Sequence, residues 1–367
     1  MKIESVKEKL ASAISKAEKV TGRNSSLPIL KCVMIETGDN NITVKATNLD
    51  LGIEIQIPVK VTEKGKVSIP GNILNGFLSN VGNEKSITLE TIENNLHVST
   101  SKNSTIIKSL SSDEFPSIPR IESPSGFNIA SEDFIEGLRS VSYSSATSTI
   151  KPELSSVKIY TEDDFIIFVA TDGFRLAEKK IKTKTKLDFP AILLPIKNVA
   201  EIIRIIEGIN TEISVLIDKN QMAIVVDDGL YLVSRTTEGN FPNYKAIFPK
   251  EIVSEVTILK QDLINSLKIS TIFTDTFNHV KLTIHSKEKK MEIISKNNEV
   301  GENSSLIPAT VKGEDLSLNF NFRYISDALN SLKTDSLVFM FSGASTPLLI
   351  KSLNDSSFSY VVMPMNR

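Results

Sequence analysis

Cysteine, histidine and excess charge are all scarce in this chain of 367 residues. Its one cysteine, Cys32, excludes an intrachain disulfide framework and any multi-cysteine metal site, and it indicates a reducing compartment. Lys and Arg number 42 against 44 Asp and Glu, a formal net charge of −2, so the chain does not wrap nucleic acid by bulk positive charge. No stretch approaches the roughly 20 apolar residues of a membrane span. Because the charged start also differs from a secretory signal, we expect a cytoplasmic protein with no membrane partner.

The residue patterns that mark catalytic, metal or cofactor sites are missing as well. The chain has no phosphate-binding Gly-x-x-x-x-Gly-Lys-Ser/Thr loop, no Gly-x-Gly-x-x-Gly turn and no Gly-x-Ser-x-Gly elbow. The three histidines lack partners at metal-ligand spacing, and we interpret them as solvent-facing strand residues: His97, His279 and His285. Paired acids at 163–164 and 227–228 fit hairpin tips better than a metal site. Cys32 lies in the apolar run 29–35 and is expected to be a buried, inert thiol. We therefore predict no catalytic residue, no metal and no cofactor.

A threefold repeat is the strongest positive signal. Ala46, Ala170 and Ile294 occupy equivalent positions in three similar strands, each 124 residues after the one before. Helical patterns after these strands begin at residues 70, 195 and 321, which keeps nearly the same spacing. A Phe-Pro pair at 115–116 recurs at 241–242. These marks predict a triplicated domain.

Each repeat contains two helical patterns and about eight short strand patterns. The predicted helices span 5–20, 70–78, 131–144, 195–203, 260–272 and 321–329. The three marker strands are predicted at 44–50, 168–174 and 292–298. We therefore predict an α+β fold of antiparallel sheets with two helices per domain, with domains at 1–120, 127–248 and 249–367. Pro/Ser-rich 116–125 and the stretch 249–254 are the expected connections.

Charge on the helices does not by itself indicate a DNA-binding function. The six helices as predicted carry a small excess of cations, which fits solvated faces as well as it fits a DNA contact. A small-molecule-binding enzyme with Asp172 and Arg175 as a polar site stays open as an alternative, although Asp172-Gly173 also fits a simple turn. A sequence-specific DNA-binding protein is a further alternative, but no helix-turn-helix signature supports it.

Four segments carry a likeness to a known family. Ala170-Thr171-Asp172-Gly173-Phe174-Arg175-Leu176-Ala177 and Tyr360-Val361-Val362-Met363-Pro364-Met365, with Leu27-Pro28-Ile29-Leu30 and Phe241-Pro242-Asn243-Tyr244, resemble the bacterial DNA polymerase III β subunit family of sliding clamps. The resemblance implies a head-to-tail homodimer whose six domains form a DNA clamp ring around duplex DNA without reading its sequence. It also implies a non-catalytic processivity factor that tethers the replicative DNA polymerase catalytic subunit, the clamp loader and other proteins with a clamp-binding motif.

The resemblance places a partner-peptide cleft between the second and third domains. Its predicted lining is Leu154, Thr171, Gly173, Phe174, Arg175, Leu176, Pro242, Ile247, Val361, Val362, Met363, Pro364 and Met365. From the residues alone, 361–365 also fit a last buried strand. The chain departs from the family at Phe174, at Ala246 and in the ending Asn366-Arg367, which alters the charge expected around the cleft.

The resemblance also implies DNA-facing and dimer-interface positions. The DNA-facing candidates are Arg23, Lys151, Lys197 and Arg204, with Ser148 departing from the family near Lys151. The dimer candidates are Ile106 and Ile107 at the end of the first domain and Ile272 and Phe273 in the third. Large apolar residues at these positions also fit core packing.

Overall fold

The computed structural model describes residues 1–22, 27–122, 125–227, 229–343 and 345–365. Six α-helices and 25 strands lie in these described ranges. The helices are α1 Lys7–Glu18, α2 Gly71–Asn80, α3 Ser131–Ser142, α4 Ile196–Ile206, α5 Lys260–Ser270 and α6 Phe322–Ala328. All six predicted helices are confirmed. The third and fifth helices begin at the predicted residues, and the other four begin one or two residues later, where the preceding strand ends; Ser5 and Val6, predicted as helix, end the first strand.

The strands divide into nine, eight and eight along the chain, as the repeat predicts. The first nine are β1 Lys2–Val6, β2 Cys32–Thr37, β3 Asn41–Thr47, β4 Leu51–Pro58, β5 Lys60–Glu63, β6 Lys66–Pro70, β7 Ser86–Ile92, β8 Asn95–Ser99 and β9 Ser104–Ile107. The next eight are β10 Ser125–Ala130, β11 Ser156–Glu162, β12 Phe165–Thr171, β13 Arg175–Lys182, β14 Ile192–Pro195, β15 Glu212–Asp218, β16 Gln221–Val226 and β17 Leu230–Arg235. The last eight are β18 Ser254–Leu259, β19 His279–His285, β20 Lys290–Asn297, β21 Gly301–Gly313, β22 Leu316–Asn321, β23 Ser336–Phe341, β24 Leu348–Ser352 and β25 Asp355–Val362.

Antiparallel pairing crosses the predicted repeat boundaries. The sheet orders are β5-β1-β7-β8-β9, β10-β15-β16-β17-β4-β3-β2-β6 and β14-β11-β12-β13-β25-β24-β23-β18-β21-β20-β19-β22. In the second sheet β17 pairs with β4, with Val233 opposite Gly52. In the third sheet β13 pairs with β25, with Leu176 opposite Val361. Strands of neighbouring repeats therefore share one hydrogen-bonded ladder.

The chain consequently packs as two compact units. The first comprises Met1–Ile135, Asp188–Pro190 and Lys197–Thr236, and the second comprises Glu136–Leu187, Ala191–Ile196 and Thr237–Arg367. The five- and eight-stranded sheets lie in the first unit and the twelve-stranded sheet lies in the second. Packing follows the continuous sheets rather than the sequence repeat, and the predicted domain boundaries stay a proposal.

Buried apolar side chains of the helices and strands form the cores. In α1 the buried residues are Leu10, Ala13, Ile14 and Ala17, a helical face as predicted, whereas Val6 is exposed at the end of β1. Such an apolar stripe is what allows a short helix to pack on a sheet. Among the described helices, none has the length and apolar character that crossing a membrane requires.

The structure tests several of the predictions for individual polar residues. Cys32 is buried as expected, and burial raises the pKa of its thiol to about 11. Each histidine occupies a partly exposed, outward position of its strand next to buried neighbours, as predicted, and Nδ1 of His279 lies 2.7 Å from Asp275. Asp163, at φ +52, occupies a hairpin turn as predicted. The matching prediction at 227–228 includes Asp228, which lies outside the described residues.

Two connecting segments cross a face of the shared sheets. In the first segment, 115–121, Ile118 and Ile121 pack on Tyr231 and Val233. The guanidinium of Arg120 lies 4.2 Å from the centre of the Tyr231 ring and forms an ion pair with Glu54.

The second segment, 241–248, repeats this arrangement with different side chains. Tyr244 packs on Leu176 and Val361, and its hydroxyl donates to Glu178 at 2.5 Å. Burial, followed by the Glu178 hydrogen bond, raises the pKa of Tyr244 far above its ordinary value. A buried glutamate therefore anchors each segment, since Glu54 and Glu178 are both buried and lie 124 residues apart.

Gly137 allows α3 to approach β12 closely, and we predict that Gly137→Ala is destabilising. A Cβ at residue 137 would lie 2.5 Å from the buried ring of Phe168, which has no room to move. We expect a loss of about 1–3 kcal/mol in the free energy of unfolding, measured by urea denaturation.

Gly76→Ala is the matched control, because a Cβ at this helical position meets nothing within 4 Å. It should stabilise the protein by about 0.5–1 kcal/mol. Equal effects of the two substitutions would contradict the packing described for Gly137.

Candidate functional site

A tight turn between β12 and β13 organises the predicted cleft. The carboxylate Oδ1 of Asp172 accepts hydrogen bonds from the amides of Phe174 and Arg175, at 2.9 and 3.0 Å. The Thr171 hydroxyl donates to the carbonyl of Arg175 at 2.7 Å. Gly173 has φ +92, a left-handed conformation that glycine adopts without strain. The turn leaves the Phe174 side chain 62% exposed.

The C-terminal strand continues beside this turn. Val362 pairs with Arg175, and the amide of Met363 donates to the carbonyl of Phe174 at 2.8 Å. The amide of Met365 in turn donates to the carbonyl of Asn319 at 2.8 Å. The half-buried residues 363–365 are thereby fixed next to exposed Phe174.

The predicted lining divides into a buried part and an accessible part. Thr171, Leu176, Val361 and Val362 are buried in the sheet, so the reading as a last buried strand holds for the two valines. The accessible or half-buried members are Leu154, Gly173, Phe174, Arg175, Pro242, Ile247, Met363, Pro364 and Met365. Leu176 and Val361 join Tyr244 of the second connecting segment in one apolar cluster. Leu154 is placed by bonds within its own loop, to Lys151 and Ala146.

The Arg175 guanidinium has several hydrogen-bond partners and is not a free charge at the edge of the predicted cleft. Its Nε donates to Asp172 at 3.0 Å, and its terminal nitrogens donate to Asp327 at 2.5 Å and to the carbonyl of Tyr143 at 2.6 Å. The guanidinium also lies 4.7 Å from the centre of the Tyr324 ring. Burial opposes the charged form, but the hydrogen bond to Asp327 and the interactions with Tyr360 and Asp172 together outweigh burial and raise the pKa of Arg175. Asp172 and Arg175 therefore have structural partners that account for both groups.

The candidate DNA-facing cations are partly neutralised. The ammonium of Lys197 lies 2.5 Å from Asp50, and Arg204 lies 2.8 Å from Glu201. Lys151 is exposed in its loop. The prediction for Arg23 lies outside the described residues.

The candidate dimer residues differ in how far their side chains are exposed. Ile106 is 56% exposed, whereas Ile107 is 4% exposed and belongs to the core, because neighbouring residues of a strand point to opposite faces. Ile272 is 67% exposed, and Phe273 is half-buried beside Gly301. Ile107 is therefore a core residue, as the sequence also allowed.

Two further exposed apolar residues of the third repeat were missed by the sequence reasoning. Val300, just before β21, is 59% exposed, and Leu306, within β21, is 57% exposed. An isolated leucine in the otherwise polar stretch 301–306 was the available signal.

Sequence models of the DNA polymerase III beta subunit match nearly the whole chain. The N-terminal, central and C-terminal domain models match residues 1–119, 128–243 and 245–366. The chain belongs to the DNA polymerase III beta subunit family. Membership confirms the predicted three-domain α+β fold.

Curated relatives and solved structures agree with this family. The beta sliding clamps of Synechococcus elongatus and Bacillus subtilis are 26% and 25% identical, each over 100% of this chain and 99% of the relative. The DNA polymerase III beta subunit structure from Thermotoga maritima has a TM-score of 0.93 and 25% identity, over 100% of this chain and 99% of that one. The structure of the same subunit from Pseudomonas aeruginosa has a TM-score of 0.94 and 21% identity, with full coverage of both chains.

Membership in the beta subunit family decides the class of function. The chain is a DNA sliding clamp, a processivity factor that is not itself catalytic. The alternative of a small-molecule-binding enzyme has no support, and the hydrogen bonds of Asp172 and Arg175 explain the two residues on which it rested.

The fork of three hydrogen bonds that the Arg175 guanidinium donates predicts that Arg175→Lys lowers the free energy of unfolding. A lysine ammonium keeps the charge but does not reach all three acceptors, so the half-buried Asp172 carboxylate or Tyr143 carbonyl loses its donor. We expect a loss of about 1–3 kcal/mol in urea denaturation. Arg204→Lys, on an exposed helix face, should change stability by less than about 0.5 kcal/mol. An Arg175→Lys protein as stable as the parent would show that the fork contributes little.

Proposed function

We propose that two copies of this clamp chain join head to tail and close around duplex DNA. The observation that carries the proposal is a pair of complementary sheet edges. β9 is an edge strand of the five-stranded sheet and exposes Ile106. In β21, residues 301–308 pair only with β20 among the described strands, and Leu306 is exposed there. Unpaired edges of this kind favour pairing with another chain.

Charge supports the match between these edges. Exposed Lys102 and Lys108 flank β9, whereas exposed Glu299 and Glu302 lie at the start of β21. Two different surfaces that meet across copies form a heterologous interface, and such an interface closes into a ring when its rotation permits. The proposed contact would therefore occur twice in a dimer.

A closed ring explains why weak DNA contacts are enough. Extensive phosphate binding makes affinity strongly salt-dependent and slows movement along DNA. Enclosure keeps the duplex attached without such binding, which agrees with a net charge of −2. Lys197 and Arg204, each paired with a carboxylate, are suited to brief contacts that do not read sequence.

We further propose that the predicted cleft binds short peptide segments of the replicative polymerase, the clamp loader and other partners. Phe174 is exposed, the amide of half-buried Met363 donates to its carbonyl, and Ile247 is exposed on the segment that packs on the same sheet. Large apolar side chains that stay exposed together favour a partner. The unbranched methionine side chains adapt to several sequences, which suits a site shared by several proteins.

Leu306→Lys should convert the proposed dimer into monomers. The new ammonium would replace an apolar contact and face the lysines that flank β9. In sedimentation equilibrium at micromolar concentration, we expect the parent at about twice 40.4 kDa and the variant near 40.4 kDa. The variant should also be lost from nicked circular DNA after loading by the clamp loader.

Ile150→Lys is the matched control, because Ile150 is also a highly exposed apolar residue but lies in the loop before β11. It should remain dimeric. A parent chain that stays monomeric at tens of micromolar, or a dimeric Leu306→Lys protein, would contradict the proposed interface.

Phe174→Ala should weaken peptide binding in the cleft without affecting folding. Its exposed ring contributes little to the core, so stability should change by less than about 0.5 kcal/mol. Affinity for the replicative polymerase subunit, measured by surface plasmon resonance, should fall about tenfold or more, roughly 1.4 kcal/mol. Ile150→Ala should bind like the parent, and unchanged binding by Phe174→Ala would argue against this cleft.

A further inference from the structure

A second groove lies where β4 meets β17, in the first compact unit. It encloses a cavity of about 270 Å³ bordered by Leu49, Gly52, Pro119, Val233 and Arg235. We call it the first-junction groove. The first connecting segment passes beside it, as the second connecting segment passes beside the predicted cleft.

The backbone around this groove is held by a specific set of hydrogen bonds. The Thr47 hydroxyl donates to the carbonyl of Leu51 and accepts from the amide of Leu49, both at 3.0 Å. Oδ1 of Asn48 accepts from the amides of Asp50 and Leu51, at 3.0 and 2.8 Å. These bonds make a rigid turn between β3 and β4.

The predicted cleft contains the same set of bonds, displaced by 124 residues. The counterparts are Thr171, Asp172, Gly173, Phe174 and Arg175. The neighbouring strand repeats as well, because the amide of Arg235 donates to the carbonyl of Asp50 at 2.8 Å, as Met363 does to Phe174. The two sites are therefore built on one backbone framework.

Leu49 takes no part through its side chain in the hydrogen bonds of this turn. It has φ +75, in the left-handed region where the cleft has Gly173. A leucine there is strained, and its side chain is also 48% exposed at the edge of the groove. Strain of this kind concentrates at functional sites. A glycine at residue 49 would relieve the backbone strain. The leucine therefore indicates a contact made by its side chain that offsets this strain.

Glycine at residue 52 of β4 lets Ile118 of the first connecting segment pack closely over the strand beside the groove. A Cβ there would lie 3.1 Å from Ile118 and 3.3 Å from Val233. The corresponding residue of the cleft is Leu176. The space is below the range of about 300–1,000 Å³ that small-molecule pockets occupy, and it suits one or two side chains of a peptide.

The charged side chains at the groove indicate which chemical group a partner would bring to it. Asp50 is paired with Lys197 at 2.5 Å. Arg235 is exposed, and the described part of the chain places no carboxylate within ion-pair distance of it. A bidentate carboxylate would complement its guanidinium.

We propose that the first-junction groove binds a short extended peptide of a partner protein, with an apolar side chain against Leu49 and Pro119 and an acidic side chain against Arg235. The assignment of peptide as ligand rests on the proposed function of the cleft, whose framework the groove repeats.

Methyl NMR of the full chain tests the proposal. The probes are two pools of acetylated, amidated hexapeptides whose variable positions contain Leu, Phe, Ala, Ser and Gly; one pool has a fixed Glu and the other has Gln in its place. The Glu pool should shift the Leu49 and Val233 methyl signals saturably, and the Gln pool should do so at least fivefold more weakly. Arg235→Gln should abolish this preference.

Leu49→Gly separates a binding role from a structural one. Because glycine relieves the strain at φ +75, the thermal midpoint should stay the same or rise, while the Glu pool should bind at least tenfold more weakly. Asn354→Gly is the matched control, since it also replaces a left-handed non-glycine residue, at φ +63 between β24 and β25, and should leave binding unchanged.

The outcomes distinguish the groove from the cleft. Shifts confined to Met363 and Met365 would overturn this proposal and support the cleft. Shifts at Leu49 and Val233 without any at the methionines would support the groove and count against the cleft. Absence of shifts at Leu49 and Val233, or full binding by Leu49→Gly, would overturn the proposal.

Discussion

The architecture depends on antiparallel pairing between strands of neighbouring repeats. β4 pairs with β17, and β13 pairs with β25, so the ladder does not stop where one repeat ends. Backbone donors and acceptors at these junctions are satisfied by the adjoining repeat instead of by water. This pairing also brings distant segments together, such as the turn at Phe174 and the tail at Met363. Both the predicted cleft and the first-junction groove exist because of it.

The two connecting segments show how one framework tolerates divergence. Each crosses a shared sheet and is anchored on a buried glutamate, Glu54 or Glu178. The side chain that binds the glutamate is Arg120 in the first segment and Tyr244, through its hydroxyl, in the second. A buried carboxylate requires a partner, but either a charged or a neutral donor meets that requirement. Repeats therefore keep the position of the interaction while its chemistry changes.

Much of the fold was accessible from the sequence because it depends on local patterns. Helical spacing predicted α1 to α6, and period-two alternation predicted the strands. The marker strands were predicted about three residues late, at 44–50 and 168–174, since their last residues form the turns capped by Asn48 and Asp172. The repeat spacing of 124 residues was also visible directly.

The candidate site was predictable only in outline. Alternation did not reveal which of Ile106 and Ile107 points outward, because either face of an edge strand can be the core. The distinction between buried Leu176 or Val361 and exposed Phe174 likewise required the packed sheet. The pairing of Lys197 with Asp50, 147 residues away, has no sequence signature.

The sequence by itself determined the triplicated α+β plan, the six helices and the family, because these depend on periodicity and on contiguous motifs. Only the tertiary structure decided which side chains are accessible, which charges are neutralised and where the cavity at the junction of β4 and β17 lies. The physical reason is that burial and ion pairing depend on contacts between residues far apart in the chain, and no local pattern encodes those contacts.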